Sequence, residues 1–258
     1  MPKLKNKIVF ITGASSGIGA ACSHAFAAEG ADLILCARRE DKLNKVKEDI
    51  ISKYGVKIYS FILDVRNNEA VKKAINDLPA EWKSIDVLVN NAGLARGFSK
   101  VYEGDINHWE EMIDTNVKGL LYVTRQVLPM MVEKESGHVI NIGSVAGHDV
   151  YVSGNVYCAS KFAVNGLTQA IRYDVLDKNI KVSTVDPGMV YTEFAKVRFS
   201  WDEEKADKVY EGLTPLSPED VADAVVYCAT RPQNVNINEI ILTPLQQASV
   251  TQVIRKKV

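Results

Sequence analysis

Ile8-Val9-Phe10-Ile11-Thr12-Gly13-Ala14-Ser15-Ser16-Gly17-Ile18-Gly19 is the stretch that decides the fold class. Its first five residues form a continuous apolar run, β-branched and aromatic, as expected of a strand covered on both faces. A glycine-rich turn follows without a gap, and a helical pattern then continues through Ala21, Phe26 and Ala27 to Gly30. Strand, glycine turn and helix in that order aim backbone N–H groups and the positive end of a helix dipole at an anion. Glycines alone could be simple punctuation. Their place between a strand and a helix makes phosphate binding the better reading, with Gly13, Ser15, Ser16, Gly17, Ile18 and Gly19 as candidate contacts. The spacing is T-G-x-x-x-G-x-G, which differs from the G-x-G-x-x-G of other dinucleotide-binding turns.

Outward from this unit the same alternation repeats. Asp32-Leu33-Ile34-Leu35-Cys36 reads as a second strand, Glu40 to Lys53 as a charged amphipathic helix, and Lys57 to Ile62 as a third strand. A helix begins near Asn67 and runs to about Leu78, and Ile85 to Val89 is the fourth strand. Asn107 to about Lys134 reads as one long helical region, with a bend expected at Pro129. The remaining strands fall at His138–Ile142, Lys181–Val185 and Asn238–Leu242, and the remaining helices are one that carries Tyr157 and Lys161 to about Asp177 and one from Pro218 to Thr230, the last opened by Ser217 as N-cap. Met189 to Leu216 lacks clean periodicity, carries Tyr191, Phe194, Phe199 and Trp201, and reads as a mobile lid over the substrate. Thr243 to Val258 is a tail. With no internal repeat or linker, residues 1–258 form one α/β domain: a doubly wound parallel sheet with helices on both faces.

Two positions bear on the cofactor. An acidic residue at the end of the second strand usually binds an adenosine 2′-hydroxyl, whereas a 2′-phosphate calls for arginine. Here Cys36 and Ala37 end the strand and Arg38 and Arg39 follow, which favours NADP over NAD, although both could be helix-flanking charges. Asp64, just past the third strand, could accept from an adenine amino group or cap the helix that begins near Asn67. Gly93, closing Asn90-Asn91-Ala92-Gly93, allows the backbone to approach a flat ligand.

The chemistry is placed at Gly154-Asn155-Val156-Tyr157-Cys158-Ala159-Ser160-Lys161. On a helix, Tyr157 and Lys161 share one face a turn apart. A phenol titrates near ~10, so it is a poor base at neutral pH, and an ammonium one turn away is expected to lower that value. Chance could produce such a pair. Ser144, leaving the strand at His138–Ile142, can meet Tyr157 in one crevice at the carboxyl ends of the strands. Asn116 is a poor helix former set mid-helix, where it could be a tolerated solvent-facing residue. Arg198 in the lid could hold a substrate carboxylate in a bidentate fork, or could be a solvated loop arginine.

Bulk properties set limits on these readings. A composition of 47% hydrophobic and 24% charged residues fits a soluble globule, and a net charge of -1 gives no electrostatic reason for nucleic acid or an anionic membrane as partner. Cys22, Cys36, Cys158 and Cys228 are dispersed without a C-x-x-C pair, which fits reduced buried thiols better than disulfides or zinc. The apolar run after Lys7 is too short for a signal sequence or a membrane span, so a cytoplasmic location is expected.

Taken together, Thr12-Gly13-x-x-x-Gly17-x-Gly19, Asn90-Asn91-Ala92-Gly93, Asn116, Ser144, Tyr157-x-x-x-Lys161 and Pro187-Gly188 resemble the short-chain dehydrogenase/reductase family along essentially the whole chain. Within it, Val89 to Ala95, Met112 to Asn116, Gly154 to Tyr157, Thr192-Glu193-Phe194, Val197-Arg198-Phe199 and Val235 to Asn238 are similar to the NADP-dependent 3-hydroxy acid (serine and L-allo-threonine) dehydrogenases. The resemblance implies a seven-stranded sheet, a homotetramer, and hydride transfer between the nicotinamide of NADP and a small-molecule substrate's carbinol or carbonyl carbon. It assigns Tyr157 as general acid/base and Lys161 as its electrostatic partner and a ribose ligand. Ser144 would hold the substrate oxygen, and Asn116 would anchor a water relaying protons from Lys161. It adds Val65, Asn91, Ala92, Pro187, Gly188, Val190 and Thr192 to the cofactor contacts. A reductase for a less polar carbonyl compound, a non-catalytic NADP sensor and a ligand-free scaffold are the competing readings. The intact Ser144, Tyr157 and Lys161 argue against the sensor, and Gly13, Gly17 and Gly19 against the scaffold.

Overall fold

The computed structural model describes residues 3–256. Seven parallel strands form one sheet in the order β3-β2-β1-β4-β5-β6-β7: β1 (Ile8–Thr12), β2 (Asp32–Ala37), β3 (Ile58–Ile62), β4 (Val87–Asn90), β5 (Gly137–Ile142), β6 (Ile180–Pro187) and β7 (Glu239–Leu242). Helices α1 (Gly17–Ala28), α2 (Glu40–Tyr54) and α3 (Asn68–Asn76) join the early strands; α4 (Ile106–Ile113), α5 (Leu120–Glu133), α6 (Asn155–Asp174), α7 (Phe194–Arg198), α8 (Glu203–Lys208) and α9 (Pro218–Ala229) follow.

Why the central strands lack alternation is visible in the packing. Val9 and Ile11 of β1 point into a core with Phe26 of α1, Leu43 and Ile50 of α2, and Val225 of α9. Phe10, between them, points to the opposite face, where α3 supplies Val71 and Ile75 and α5 supplies Val123, Val127 and Met131. Both faces are covered, so Val9, Phe10 and Ile11 are apolar without alternation. Each such side chain fully buried contributes about 1.5–3 kcal/mol relative to exposure. A helix cap contributes typically about 1 kcal/mol, so the two cores outweigh local signals such as the Ser217–Asp220 capping box that opens α9.

Three expectations change. The region from 107 to 134 is not one α-helix: a π-helical turn at Asp114–Gly119 separates α4 from α5, whereas Pro129 lies within α5. A Cβ at Gly119 would sit 2.7 Å from Val65 Cγ2, so close approach to the loop after β3 goes with this turn. Asn67 caps α3, its side chain accepting from Ala70 N at 3.0 Å, which removes the capping alternative for Asp64. The 189–216 segment contains α7 and α8. The tail expected from Thr243 is described as far as residue 256 and carries short turns, its last residues lying outside the described range. Among the described residues no helix is long and apolar enough to cross a membrane.

Strand order reverses between β1 and β4, and a crevice opens there beyond the carboxyl ends of the strands. Thr12 joins the two ends: its Oγ1 accepts from the backbone N–H groups of Asn91 (3.1 Å) and Ala92 (3.0 Å), while Asn91 Nδ2 donates to Thr12 O (2.8 Å).

Candidate active site

A cavity of about 430 Å³ runs along these strand ends. At one extremity the turn after β1 contributes Gly13, Ser15, Ser16, Gly17 and Ile18. Gly13 (φ +65) and Gly17 (φ +53) lie in the left-handed region, where a side chain is strained. Gly19 stands behind the wall: a Cβ there would fall 2.3 Å from Gly13 O, so this residue lets the helix close onto the turn rather than facing the cavity.

Arg38, Arg39, Asp64 and Val65 form the adjoining wall. Arg39 Nη2 donates to Ser16 Oγ at 2.6 Å and its Nη1 pairs with Glu193 at 2.8 Å; Lys42 also holds Glu193. Asp64 is bound by Arg66 (Nη2–Oδ2 2.6 Å). Although burial alone would raise the Asp64 carboxyl, Arg66 holds it below the ordinary range. Glu111 on α4 faces three guanidiniums, those of Arg96 (2.6 Å), Arg66 (3.6 Å) and Arg38 (3.7 Å). Burial works against its charge too, and the arginines prevail. The sequence gives no hint of this hub, because Glu111 looks like any other charge on an amphipathic helix.

Asn91, Ala92 and Gly93 line the middle of the cavity, and Ser144, Tyr157, Lys161, Pro187 and Gly188 the far end. Helix α6 begins at Asn155, so Tyr157 and Lys161 stack one turn apart in its first turns, and both are buried. Lys161 Nζ donates to Ile142 O at 2.9 Å and lies 6.0 Å from the centre of the Tyr157 ring. Ser144 Oγ accepts from Ala146 N (3.1 Å) at the head of the turn after β5. Asn116 is buried rather than facing solvent. Its Oδ1 accepts from Leu94 N (2.9 Å) and its Nδ2 donates to Leu94 O (2.8 Å) and Ser160 Oγ (3.0 Å), tying the π turn to the loop after β4 and to α6.

The expected depression of the Tyr157 pKa is not what the environment produces. Burial raises it well above the phenol's ordinary value, the neighbouring Tyr151 adds to this, and the Ser144 hydroxyl and the Arg198 guanidinium oppose it. Burial also draws Lys161 down to about 8, with the charge of Asp186 opposing. Spacing along a helix places the pair, but desolvation sets the direction of the shift.

Arg198 lies at the end of α7 beside this site. Its guanidinium carbon is 4.9 Å from the ring centre of Phe98, 5.4 Å from Tyr151 and 5.7 Å from Tyr157, and Nε donates to Gly97 O at 3.2 Å. It lines an adjoining crevice that shares Tyr157 with the main cavity. Val190 and Thr192 contact the main cavity, joined by Glu193, Phe194, Val197 and Trp201 of the same segment. Phe194 packs edge-on against Tyr157, with ring centres 5.5 Å apart.

A profile of the family described as short chain dehydrogenase matches residues 7–203. The chain belongs to this family. The NADP-dependent 3-hydroxy acid dehydrogenase YdfG of Salmonella typhi is 45% identical over 242 residues, covering 93% of this chain and 96% of that one. The NADP-dependent 3-hydroxy acid dehydrogenase of Schizosaccharomyces pombe is 42% identical over 258 residues, covering 100% of both. Among solved structures, the closed form of serine dehydrogenase complexed with NADP+ superposes with a TM-score of 0.91 at 42% identity, covering 97% of this chain and 100% of that one. The seven-stranded doubly wound sheet read from the sequence is therefore the family's fold in this chain.

Proposed function

We propose that this oxidoreductase transfers a hydride between NADP and a small 3-hydroxy acid of the serine, L-allo-threonine or 3-hydroxypropionate type, with a 3-oxo acid or semialdehyde as the reducible partner. One juxtaposition carries the reading. A single cavity has Arg38 and Arg39 on one wall and Ser144, Tyr157 and Lys161 at its far end, with Arg198 beside Tyr157. A turn that leaves no room for side chains at Gly13, next to two guanidiniums, fits a phosphorylated dinucleotide. Gly13, Ser15, Ser16, Gly17 and Ile18 would take the diphosphate, with Gly19 shaping their turn from behind. Arg38 and Arg39 would take the 2′-phosphate, and Asp64 and Val65 would lie along the adenine. Asn91, Ala92 and Gly93 with Pro187, Gly188, Val190 and Thr192 would flank the nicotinamide half. When bound, the nicotinamide supplies or accepts the hydride.

The chain's own residues handle the proton. Burial keeps Tyr157 protonated, which suits it to donate its phenolic hydrogen to a carbonyl oxygen as the adjacent carbon is reduced. Ser144 donates to that same oxygen, where negative charge accumulates. Lys161 as an ammonium would stabilise the phenolate left on Tyr157 and would hold the nicotinamide ribose. Asn116 fixes the backbone around this end, and a water beside it would carry a proton from solvent in to Lys161, so that the phenolate on Tyr157 is restored to the phenol. The arginine–carboxylate fork at Arg198 would select acids over neutral alcohols. The 189–216 segment acts as the cover of the substrate site within a single catalytic domain. The same reading includes a homotetramer in the cytoplasm.

Serine, the threonine stereoisomers and 3-hydroxypropionate, each assayed at 340 nm with NAD and with NADP, test the proposal. Reduction of NADP by at least one acid, with neutral alcohols of the same size much slower, is expected. Preference for a neutral alcohol would remove the acid from the reading, and faster turnover with NAD would remove the role of Arg38 and Arg39.

A further inference from the structure

Asp186 on β6 is a fully buried carboxylate that the proton chemistry above leaves without a task. A side chain of this kind is costly to bury unless it is bonded and compensated. Two donors reach it: Thr184 Oγ1 at 2.6 Å from Oδ1 and His148 Nε2 at 2.8 Å from Oδ2. Its place is tight. A Cβ built on Gly143 would fall 1.7 Å from Asp186 Oδ1, so the carboxylate occupies the space that any other residue at 143 would fill. Gly143 lies between Ile142, whose carbonyl receives the Lys161 ammonium, and Ser144. Gly143 N donates to Val185 O at 2.9 Å, so the turn rests on the strand segment that carries Asp186.

We propose that Asp186 is a positioning residue acting through Lys161: its carboxylate seats the Ile142–Ser144 turn and supplies the negative charge that keeps Lys161 an ammonium. The inference rests on the role given to Lys161 under the proposed function. The groups around the two partners are few. Asp186 is faced by Thr184 on its own strand, His148 from the turn after β5, and Glu239 from β7, whose Oε1 is 3.5 Å from His148 Nε2. Asn165 on α6 reaches His148 at 3.2 Å. Lys161 is faced by Tyr157 from its own helix, with Asp186 the charge that raises it against burial. Burial pushes the Asp186 carboxyl up to about 6, with the hydrogen bonds from Thr184 and His148 opposing, so it is ionised where Lys161 at about 8 begins to lose its proton.

The test is Asp186→Asn. Asparagine keeps both bonds, with Oδ1 accepting from Thr184 and Nδ2 donating to an unprotonated His148, and removes only the charge. In the carbonyl-reduction direction, the basic limb of the kcat profile should move to lower pH by about one unit, since an opposite charge nearby shifts a pKa by roughly 1–3 units. The pH above which NADPH binding weakens, followed by calorimetry, should move the same way. Asp186→Ser should reproduce both shifts, and thermal melts would show that each variant is folded. A double-mutant cycle separates the layers: in a Lys161→Met background, Asp186→Asn should cost nothing further. An unmoved limb with a uniform rate loss, or losses that add in the double variant, would overturn the role of Asp186 while leaving Lys161 in place. A Lys161→Met enzyme as active as the parent would overturn the reading of Lys161 itself.

Discussion

The floor of the cavity and the 189–216 segment proposed as its cover are built on opposite terms. The floor sets Ser144 at a strand end and Tyr157 and Lys161 on the 20-residue helix α6, all three buried. The proposed cover, residues 189–216, contains the short helices α7 and α8 between turns and is held to the rest partly by ion pairs of half-exposed residues, such as Arg39–Glu193 with side chains 36% and 32% exposed. In the floor, desolvation is strong enough to move Tyr157 and Lys161 in opposite directions. In the cover, charges remain near water, where a pair contributes about 0–1 kcal/mol. Under the proposed function, the chemistry would depend on the buried end and the choice of substrate on the half-exposed segment.

The contrast breaks most sharply at Tyr157. Tyr157→Phe should reduce turnover by ~10²–10⁴-fold, the usual contribution of a positioned acid or base. Nucleotide binding measured by calorimetry should stay nearly unchanged, because the ring still packs against Phe194. Retained turnover would place the proton donor elsewhere. The next effect belongs to the boundary between the two regions. If Arg198 holds the carboxylate as proposed, Arg198→Ala removes a charge-assisted contact of about 1.5–3 kcal/mol, so KM for a hydroxy acid should rise ~10- to 100-fold while KM for a neutral alcohol barely changes. Equal effects on both would remove Arg198 from the substrate site. Glu193→Gln is the smallest. It frees Arg39 and Lys42 and loosens the proposed cover, so the affinity for NADP should rise and KM for the acid increase, each by roughly 5-fold or less because both pairs are half-exposed. Raised salt on the parent enzyme should mimic the second change.

How far the sequence could be read follows the same division. The strands were legible to within a residue or two because strands covered on both faces carry apolar runs such as Val9, Phe10 and Ile11. Tyr157, Lys161 and Ser144 were legible because helix spacing and a strand end place them. Asn116 was not, since its partners Leu94 and Ser160 are distant in the chain and its burial comes from a π turn with no mark in composition. Nor was the direction of the Tyr157 shift, which depends on what surrounds the ring rather than on the residue four places on. Glu111 and Glu193 escaped for a related reason: each acts by gathering cations from other elements.

The π-helical turn at Asp114–Gly119 has one further effect. An α-helix advances about 100° per residue. A locally widened coil therefore resets the angular phase of everything beyond it. Ahead of the reset, Met112 faces the small cluster around Tyr157; beyond it, Val123, Val127 and Met131 face the large core under the sheet. Straightened to a uniform winding, the rod would swing one of these sets away from its partners, so the irregularity is what allows one continuous span of chain to serve two separate interiors.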